Sequence, residues 1–333
     1  MALDPLVEAR FSDVARSAGL YESYYIRAVQ PGGGLGFWVR YTIHKRPGED
    51  PTGSVWFTLF DASMERPAAS KVTLPGPRPA GGGGGVDVGE SRLRLGEAVG
   101  SARTDRCDAA WELRFSSSEE PFLHLPRRWM YGGPLPRTKS LSPWPSARFD
   151  GQVVVDGREI AVDGWPGMLG HNWGAEHAER WIWLHAIDAN GAGEATWLDA
   201  VIGRIKVGPV TLPWIANGCI ALNGTRHRLG GPAAARRTEV RETPERCEFV
   251  LPGRDLTVQG EVSAPGKDFV GWVYADPDGG EHNTVNCSIA DMRLAFSRPG
   301  EPQRFIEISG AAAYELGMRE TDHGMEIQPF PDG

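Results

Sequence analysis

Short runs in which apolar and polar residues alternate cover much of this chain, whereas helix-length amphipathic stretches are scarce. Alternation with a period of two is typical of β-strands, and β-branched and aromatic residues are concentrated in these runs. The clearest of them span residues 36–44, 54–60, 109–115, 151–155, 180–187 and 269–274. The pattern predicts many short strands and only one helix, near residues 5–18.

Glycine and proline, at 43 and 26 residues, separate the predicted strands at short intervals. Asp156-Gly157 and Asn223-Gly224 each lie between two strand-like runs, and both dipeptides suit the positive φ angles of a tight type I′ turn. We therefore expect a hairpin at each of these sites. Many short strands with frequent turns favour an all-β sandwich or barrel over alternating strands and helices.

Two irregular segments interrupt the strand pattern. Residues 75–85 include five consecutive glycines and are expected to form a mobile loop. Residues 121–145 are rich in proline yet contain Trp129, Tyr131 and Trp144. A long irregular segment with aromatic residues predicts a lid or strap across the mouth of a barrel.

The length of 333 residues suffices for two domains. Two prolines at 208–213, directly after a strand-like run, predict the boundary between them. The expected division is residues 1–210 and residues 211–333.

Acidic residues outnumber basic ones, 43 to 35, which gives a net charge of −8. Nothing in this balance favours nucleic acid or anionic lipid as a partner. The N-terminus lacks a basic segment followed by an apolar core, and no apolar run reaches the roughly 18 residues of a membrane span. We expect a cytoplasmic protein without a transmembrane segment.

The four cysteines are far apart and form no Cys-x-x-Cys pair. In the cytoplasm such cysteines are expected to be buried small hydrophobic residues rather than disulfides or zinc ligands. They are Cys107, Cys219, Cys247 and Cys287.

The densest group of chemically capable residues spans 164–185, with three of the eight histidines and four of the twelve tryptophans. If residues 180–187 form a strand, Trp181, Trp183 and His185 share one face. Two indoles and an imidazole would make an aromatic wall with one titratable group. Such a wall suits a hydrophobic ligand and stabilises developing positive charge.

Simpler interpretations of the same residues stay open. The tryptophans can be ordinary core, and His185 can be a hydrogen-bonded core histidine. His171 and Asn172 can form a polar turn, while Glu176 can simply be solvated. Together the cluster is a stronger signal than any one of its members.

Cofactor and metal motifs are not found in the sequence. His171, Glu176, His177 and His185 are of ligand types, but their spacing matches no zinc pattern such as His-Glu-x-x-His. The phosphate-binding glycine motifs and the Gly-x-Ser-x-Gly of serine hydrolases are missing too. We expect no metal and no cofactor.

Residues 170–174, Gly-His-Asn-Trp-Gly, and the following Trp181-Ile-Trp183 carry a family resemblance. They resemble the Asp-His-x-Trp-Gly marker and Trp-x-Trp strand of the superfamily of carotenoid 1,2-hydratases, tocopherol cyclases and lipocalin-like Diels–Alderases. The hairpin at 150–157 also resembles that family's approach to the marker. The resemblance spans residues 21–316 and implies two lipocalin-like (calycin) antiparallel β-barrel domains. It further implies a ligand site at or between the domains and no redox cofactor.

The chain departs from the marker at one position, because Gly170 stands where the family has aspartate. In the hydratases the resemblance implies that this aspartate donates the proton. Glu176, His177 or Asp199 are the candidate replacements. Asp199 lies in the apolar run 196–202, where an inward carboxyl would have a raised pKa because of desolvation. An outward-facing Asp199 is the alternative.

These observations predict a cofactor-independent enzyme that cyclises, isomerises or hydrates a double bond of a hydrophobic terpenoid or polyketide substrate. The alternatives are a non-catalytic lipocalin-like carrier or sensor of an apolar small molecule, and a purely structural protein. The candidate catalytic residues are His171, Glu176, His177 and Asp199. The candidate substrate-binding residues are Asn172, Trp173, Trp181, Trp183, His185, Trp129 and Tyr131.

Overall fold

A computed structural model describes residues 4–81, 84–188, 196–207, 210–298 and 300–330. Antiparallel strands make up most of these residues, as the alternating pattern predicts. The strands of the first sheet are β1 (Leu20–Val29), β2 (Leu35–Lys45), β3 (Thr52–Asp61), β4 (Ala68–Pro75), β5 (Arg78–Pro79), β6 (Gly85–Val88), β7 (Ser91–Arg94), β8 (Glu97–Arg103), β9 (Asp108–Ser116), β10 (Phe122–Leu123), β11 (Thr138–Val155) and β12 (Arg158–Gly174).

The remaining strands lie further along the chain. They are β13 (Arg180–Asp188), β14 (Thr196–Arg204), β15 (Lys206–Val207), β16 (Val210–Thr211), β17 (Ile215–Leu222), β18 (Thr225–Gly230), β19 (Glu239–Thr243), β20 (Arg246–Pro252), β21 (Thr257–Ser263), β22 (Val270–Ala275), β23 (Glu281–Ser297) and β24 (Arg304–Met318). β15 and β16 pair only with each other, and the others form the second sheet. Short 3-10 helices span Pro5–Val7, Phe11–Asp13, Arg128–Tyr131, Pro232–Arg237 and Gly266–Asp268.

Both sheets are curled, and the all-β prediction of two lipocalin-like units is confirmed. The first sheet runs in the order β4-β3-β2-β1-β12-β11-β9-β8-β7-β6-β5, with β10 beside β11. The second runs β18-β17-β14-β13-β24-β23-β21-β20-β19, with β22 beside β23. The strands β1 and β12 therefore lie near the middle of the first sheet, and β13 and β24 near the middle of the second.

The strands β1, β2 and β3 are buried on both faces, because each face packs against a different core. Along β2, Phe37 and Val39 belong to the core inside the first sheet. Their neighbour Trp38 belongs to a second core, which also contains Trp183 and Trp272 from the second sheet. Alternate residues of one strand thus belong to two different cores, and the second core joins the two sheets.

The two predicted hairpins are confirmed. β11 ends at Val155 and β12 begins at Arg158, with Asp156 and Gly157 at φ 50° and 81°. Asn223 and Gly224 connect β17 to β18 at φ 49° and 74°. Both turns therefore have the positive φ angles that a type I′ turn requires.

The helix predicted at residues 5–18 is wrong, because only two single-turn 3-10 helices form there. The backbone N–H groups of Arg10 and Phe11 donate to the Glu22 carboxylate at 2.9–3.0 Å. They are consequently unavailable to carbonyl groups one helical turn earlier.

The change from one sheet to the other falls between Gly174 and Arg180, so β13 and β14 pair with strands that follow residue 211. The sequence placed the boundary at residue 210, within 208–213, where residues 208 and 209 lie outside the described residues. Part of the predicted loop 75–85 pairs as β5 with β6, and residues 82 and 83 are again outside the described residues.

The cysteines and the helices were both the subject of an expectation from the sequence. All four cysteines are buried free thiols, as predicted. Among the described residues, the helices are all too short or too polar to cross a bilayer.

Candidate active site

A cavity of about 240 Å³ lies between the two sheets. Its wall combines aromatic, aliphatic and polar residues, and it includes part of the proline-rich segment that was predicted to be a strap. The aromatic lining residues are Tyr21, Tyr25, Trp38, Trp181, Trp183 and Tyr274. The polar lining residues are Arg40, His124, Thr138, Ser140, Asn172, His177, Asn217 and Glu315. The proline-rich segment, residues 121–145, is called the strap below, although it is not irregular throughout, because it contains β10 and the start of β11. It contributes His124, Leu125, Pro126, Met130, Pro136, Thr138 and Ser140 to the wall.

Strand β12 divides the His-Asn-Trp-Gly motif between two faces. Asn172 pairs with Ser23 of β1, lines the cavity and accepts a hydrogen bond from Ser23 Oγ at 2.9 Å. His171 and Trp173 belong to the opposite face, where Trp173 packs in the core inside the first sheet. Because side chains alternate along a strand, the motif cannot send all three side chains into one cavity.

His171 is fully buried in the first sheet's core and does not line the cavity. Its ring stacks on Tyr24 at 4.0 Å between centroids, and its Nε2 lies 2.8 Å from Glu22 Oε1. Burial lowers the pKa of His171, although the Glu22 carboxylate opposes this shift. The geometry is that of a histidine that ties the N-terminal segment to β12.

Two aromatic residues of the strap also lie away from the cavity wall. Tyr131 is buried, and its hydroxyl donates to the Ser140 carbonyl while accepting from the Leu125 N–H. Trp129 is 72% exposed on the surface. The strap therefore reaches the cavity through other residues than those the sequence had indicated.

Gly170 faces the ring of Tyr25 so closely that a Cβ atom there would lie 2.2 Å from Tyr25 Cζ. The Tyr25 ring thus fills the space that an aspartate at position 170 would need. Tyr25 lines the cavity and packs edge-on against Trp183, at 5.2 Å between centroids. Burial raises the pKa of Tyr25 well above its usual value, and the charges of Asp199 and Glu315 add to the shift.

Strand β13 supplies the aromatic wall that its alternation predicts. Trp181 and Trp183 line the cavity, whereas His185 is fully buried beyond them. Arg27 Nη1 donates to His185 Nδ1 at 2.9 Å, and His185 Nε2–H donates to the Pro145 carbonyl at 2.8 Å. Burial, helped by the Arg27 charge, lowers the pKa of His185 to about 4. His185 is neutral and links the sheets.

Asp199 points inward and is fully buried, but it does not line the cavity. Ser142 Oγ donates to it at 2.5 Å and Trp183 Nε1 at 3.3 Å, while His124 Nε2 lies 3.2 Å away. The prediction of a raised pKa is wrong. Burial alone would raise the pKa of Asp199, but His124 and the other donors stabilise the carboxylate and lower it.

Glu176 is engaged outside the cavity by an ion pair with Arg137. Its backbone carbonyl accepts from Thr138 Oγ1 at 2.6 Å, and Thr138 in turn accepts from the Tyr21 hydroxyl at 2.8 Å. This chain of hydrogen bonds fixes the connection between β12 and β13 against the first sheet. It also holds Tyr21 at the cavity wall.

His177, in the β12–β13 connection, is the candidate catalytic residue that reaches the cavity. Its ring stacks on Tyr21 at 3.8 Å and lies 5.2 Å from Trp181, measured between centroids. Both its backbone N–H and its Nδ1 lie 2.7 Å from Asp276 Oδ1. Its Nε2 is buried and has no hydrogen-bond partner among the described residues.

Asp276 follows the end of β22 and is 1% exposed. Burial alone would raise its pKa, but the hydrogen bonds from His177 outweigh burial and hold the pKa below its usual value. A carboxylate on Nδ1 keeps the proton of neutral imidazole on that nitrogen and leaves Nε2 as the acceptor. Asp276 and His177 therefore form an acid–base pair, and His177 lines the aromatic cavity.

His282 lies on the other side of Asp276, with its Nδ1 3.8 Å from Asp276 Oδ2. Burial lowers the pKa of His282 to about 4, so its ring is neutral. His177, Asp276 and His282 each offer an atom within 4.8 Å of the others, a spacing that could hold a metal ion. The short contact between His177 Nδ1 and Asp276 indicates a hydrogen-bonded pair.

Several polar residues of the wall were not foreseen from the sequence. Glu315 accepts from Trp181 Nε1, the Tyr274 hydroxyl and Asn286 Nδ2 at 2.9–3.1 Å. Asp276 lies 99 residues from His177, and no sequence motif connects the two. Arg40 gives no signal either, because it occupies a polar position in the alternation of residues 36–44.

Fold and cavity together define an all-β protein of two lipocalin-like sheets with an aromatic site between them. No family model matches the chain. It is 25% identical over 320 residues to uncharacterised proteins of two Mycobacterium tuberculosis strains, CDC 1551 / Oshkosh and H37Rv. Each match covers 92% of this chain and 88% of the relative.

Two solved structures share the fold along nearly the whole chain. One is a Nitrosomonas europaea protein provisionally called AttH, with a TM-score of 0.57, 14% identity and 96% of each chain covered. The other is kievitone hydratase from Nectria haematococca, with a TM-score of 0.54 and 10% identity. That match covers 97% of this chain and 93% of the hydratase. At these identities the likeness shows a common fold.

Proposed function

We propose that this protein is a hydratase-type enzyme that adds water to, or removes it from, a carbon–carbon double bond. The observation that supports the proposal most is the His177–Asp276 pair, because His177 lines an aromatic cavity and its Nε2 has no hydrogen-bond partner among the described residues. One protein of the same fold is named as a hydratase, which agrees with this choice of reaction.

In the hydration direction, neutral His177 accepts a proton from water through Nε2 while the water oxygen bonds to one alkene carbon. The π electrons move to the neighbouring carbon, and His177 then returns a proton to that carbon. The substrate gains one water and the imidazole is regenerated. Asp276 stabilises the imidazolium in between, which is the usual contribution of a carboxylate on Nδ1.

The acid–base groups that the structure describes at this site favour a conjugated double bond over an isolated one as the reacting group. Protonation of an isolated alkene requires a strong acid, whereas Gly170 and the raised pKa of Tyr25 offer none at the marker position. A double bond conjugated with a carbonyl group instead accepts water under base catalysis, because the carbonyl oxygen takes the negative charge. The substrate is thus a flat, mainly apolar molecule with a conjugated carbonyl group.

The aromatic wall complements this chemistry. Trp181 and Trp183 from the second sheet and Tyr25 and Trp38 from the first all line the cavity. Flat rings on both sides hold a planar substrate in one orientation and limit the access of bulk water. Orientation of this kind supplies a substantial part of a catalytic rate enhancement.

Turnover in heavy-oxygen water tests the proposal. Purified protein is incubated with kievitone, chalcone and benzalacetone, and products are analysed by mass spectrometry for one added water that carries the label. We expect a labelled product from at least one substrate. His177→Gln should lower its rate by about 100-fold or more, as for loss of a general acid–base group.

His227→Gln is the matched control, because His227 also pairs with an aspartate, Asp255 at 2.9 Å, but does not line the cavity. Its rate should equal that of the wild type. Tight binding of the panel without any turnover would favour the carrier alternative instead. Equal rates for His177→Gln and the wild type would exclude His177 as the acid–base residue.

A further inference from the structure

Arg40 is a buried cation in the wall of the cavity. It lies on β2, where its backbone pairs with Tyr25 of β1 and Trp56 of β3. The residue is only 4% exposed. Its guanidinium carbon lies 4.0 Å from the centroid of the Tyr274 ring and 5.4 Å from that of Trp56.

No hydrogen bond or ion pair joins the Arg40 side chain to any residue that the structure describes, and its Nε is buried without a partner. The two carboxylates of the region are already engaged. Glu315 accepts from three neutral donors, and Asp276 accepts from His177. Among the described residues, the guanidinium of Arg40 therefore contacts the faces of aromatic rings and no carboxylate directly.

A buried charge with no partner is costly, and side chains of this kind are normally paired. Cation–π contacts offset part of the cost, typically about 0.5–2 kcal/mol. A guanidinium in this position also retains its N–H donors, which suit an anionic oxygen in a geometry that lysine cannot reproduce. These surroundings suit a negatively charged atom of a ligand.

We infer that Arg40 binds an anionic oxygen of the ligand, so that the cavity selects flat apolar molecules that carry one oxyanion. The inference deepens the proposed function and rests on it in one respect: during hydration this oxygen is the enolate that forms from the conjugated carbonyl. Arg40 would then stabilise the charge that His177 creates by activating water. The binding preference itself needs no turnover.

Calorimetric titration with β-naphthoate and its methyl ester tests the inference, since the two differ mainly in one negative charge and neither is a substrate for hydration. The wild type should bind the anion about 10- to 100-fold more tightly than the ester, as for a charge-assisted hydrogen bond. Arg40→Gln should abolish this preference while affinity for the ester stays within a few-fold. Arg40→Lys should retain part of it.

Arg114→Gln is the control, because Arg114 is exposed on β9 and does not line the cavity. It should keep the full preference. Equal affinity of the wild type for the anion and the ester would overturn the inference, even if Arg40→Gln failed to fold. An unchanged preference in folded Arg40→Gln would overturn it too.

The two proposals fail separately. The affinities for β-naphthoate and its ester are measured without turnover, so a protein that never turns over a substrate can still show the Arg40 preference. Conversely, an active enzyme without that preference would retain the His177 proposal and contradict the role of Arg40.

Discussion

His171 and His177 lie close together in the sequence, yet their imidazoles have different surroundings. His171 is on a strand whose inward face packs into the first core, and its Nε2 is held by Glu22. His177 is in a connection that bends toward the second sheet, where Asp276 holds its Nδ1. Its Nε2 consequently has no hydrogen-bond partner among the described residues, and the residue lines the cavity.

The close contact between Gly170 and the Tyr25 ring leaves no room for even one additional carbon atom at position 170. Gly170→Asp would force a Cβ to within 2.2 Å of Tyr25 Cζ and bury a carboxylate beside an aromatic ring. We expect the free energy of unfolding to fall by about 2–4 kcal/mol. Urea denaturation measures this change.

Gly132→Asp provides the comparison, because the nearest atom to a Cβ at that position is 3.9 Å away. Its stability should stay within about 0.5 kcal/mol of the wild type. A stable Gly170→Asp variant that gained hydratase activity would show that Tyr25 does not occupy the aspartate's place.

At the scale of elements, period-two alternation and the two turn dipeptides sufficed to predict strands and hairpins. Both signals are local, so the sequence carries them directly. The helix at 5–18 failed because a distant carboxylate, Glu22, takes two of its N–H groups. A contact between segments of this kind leaves no trace in the local pattern.

Alternation also predicted that Trp181, Trp183 and His185 share a face, but it could not tell which face of β12 meets the cavity. Both faces of that strand are apolar, since each packs against a core. The sequence therefore assigned His171, Asn172 and Trp173 to the site together, whereas Asn172 is the one of these three that lines the cavity. Arg40, Asp276 and Glu315 come from strands or turns far away along the chain.

At the scale of the whole molecule, the two sheets share one core and a buried polar link. Arg27 of β1 donates to His185 of β13 and to the carbonyl groups of Ser288 and Ala311 in the second sheet. Burial lowers the pKa of Arg27 to about 9. The association of the sheets thus depends on a neutral His185 that can accept from Arg27.

This link predicts a loss of stability in acid. The pKa of His185 is about 4 in the folded protein, and the usual value of 6.5 applies once the chain unfolds. Between these values the unfolded chain binds one more proton, so stability is complete above about pH 6.5 and falls as the pH drops toward 4. The expected loss is on the order of 3 kcal/mol.

The free energy of unfolding, measured at several pH values, checks this expectation. The groups that act on His185 are Arg27, Asp199 and His124. Loss of the Asp199 carboxylate also destabilises the fold, but its lowered pKa places that effect at more acidic pH. The buried His282 and His171 also have lowered pKa values and contribute to the same slope. His185→Gln should therefore reduce the slope between pH 6.5 and 4, and an unchanged slope would argue against a neutral buried His185.

The central claim is that Asp276 orients His177 as an acid–base residue within the cavity, and Asp276→Asn tests it most directly. Its rate of label uptake from heavy-oxygen water is compared with that of the wild type, with β-naphthoate affinity as the control for an intact cavity. We expect turnover to fall by about 100- to 10,000-fold, with affinity nearly unchanged. An Asp276→Asn variant that turned over as fast as the wild type would contradict the claim.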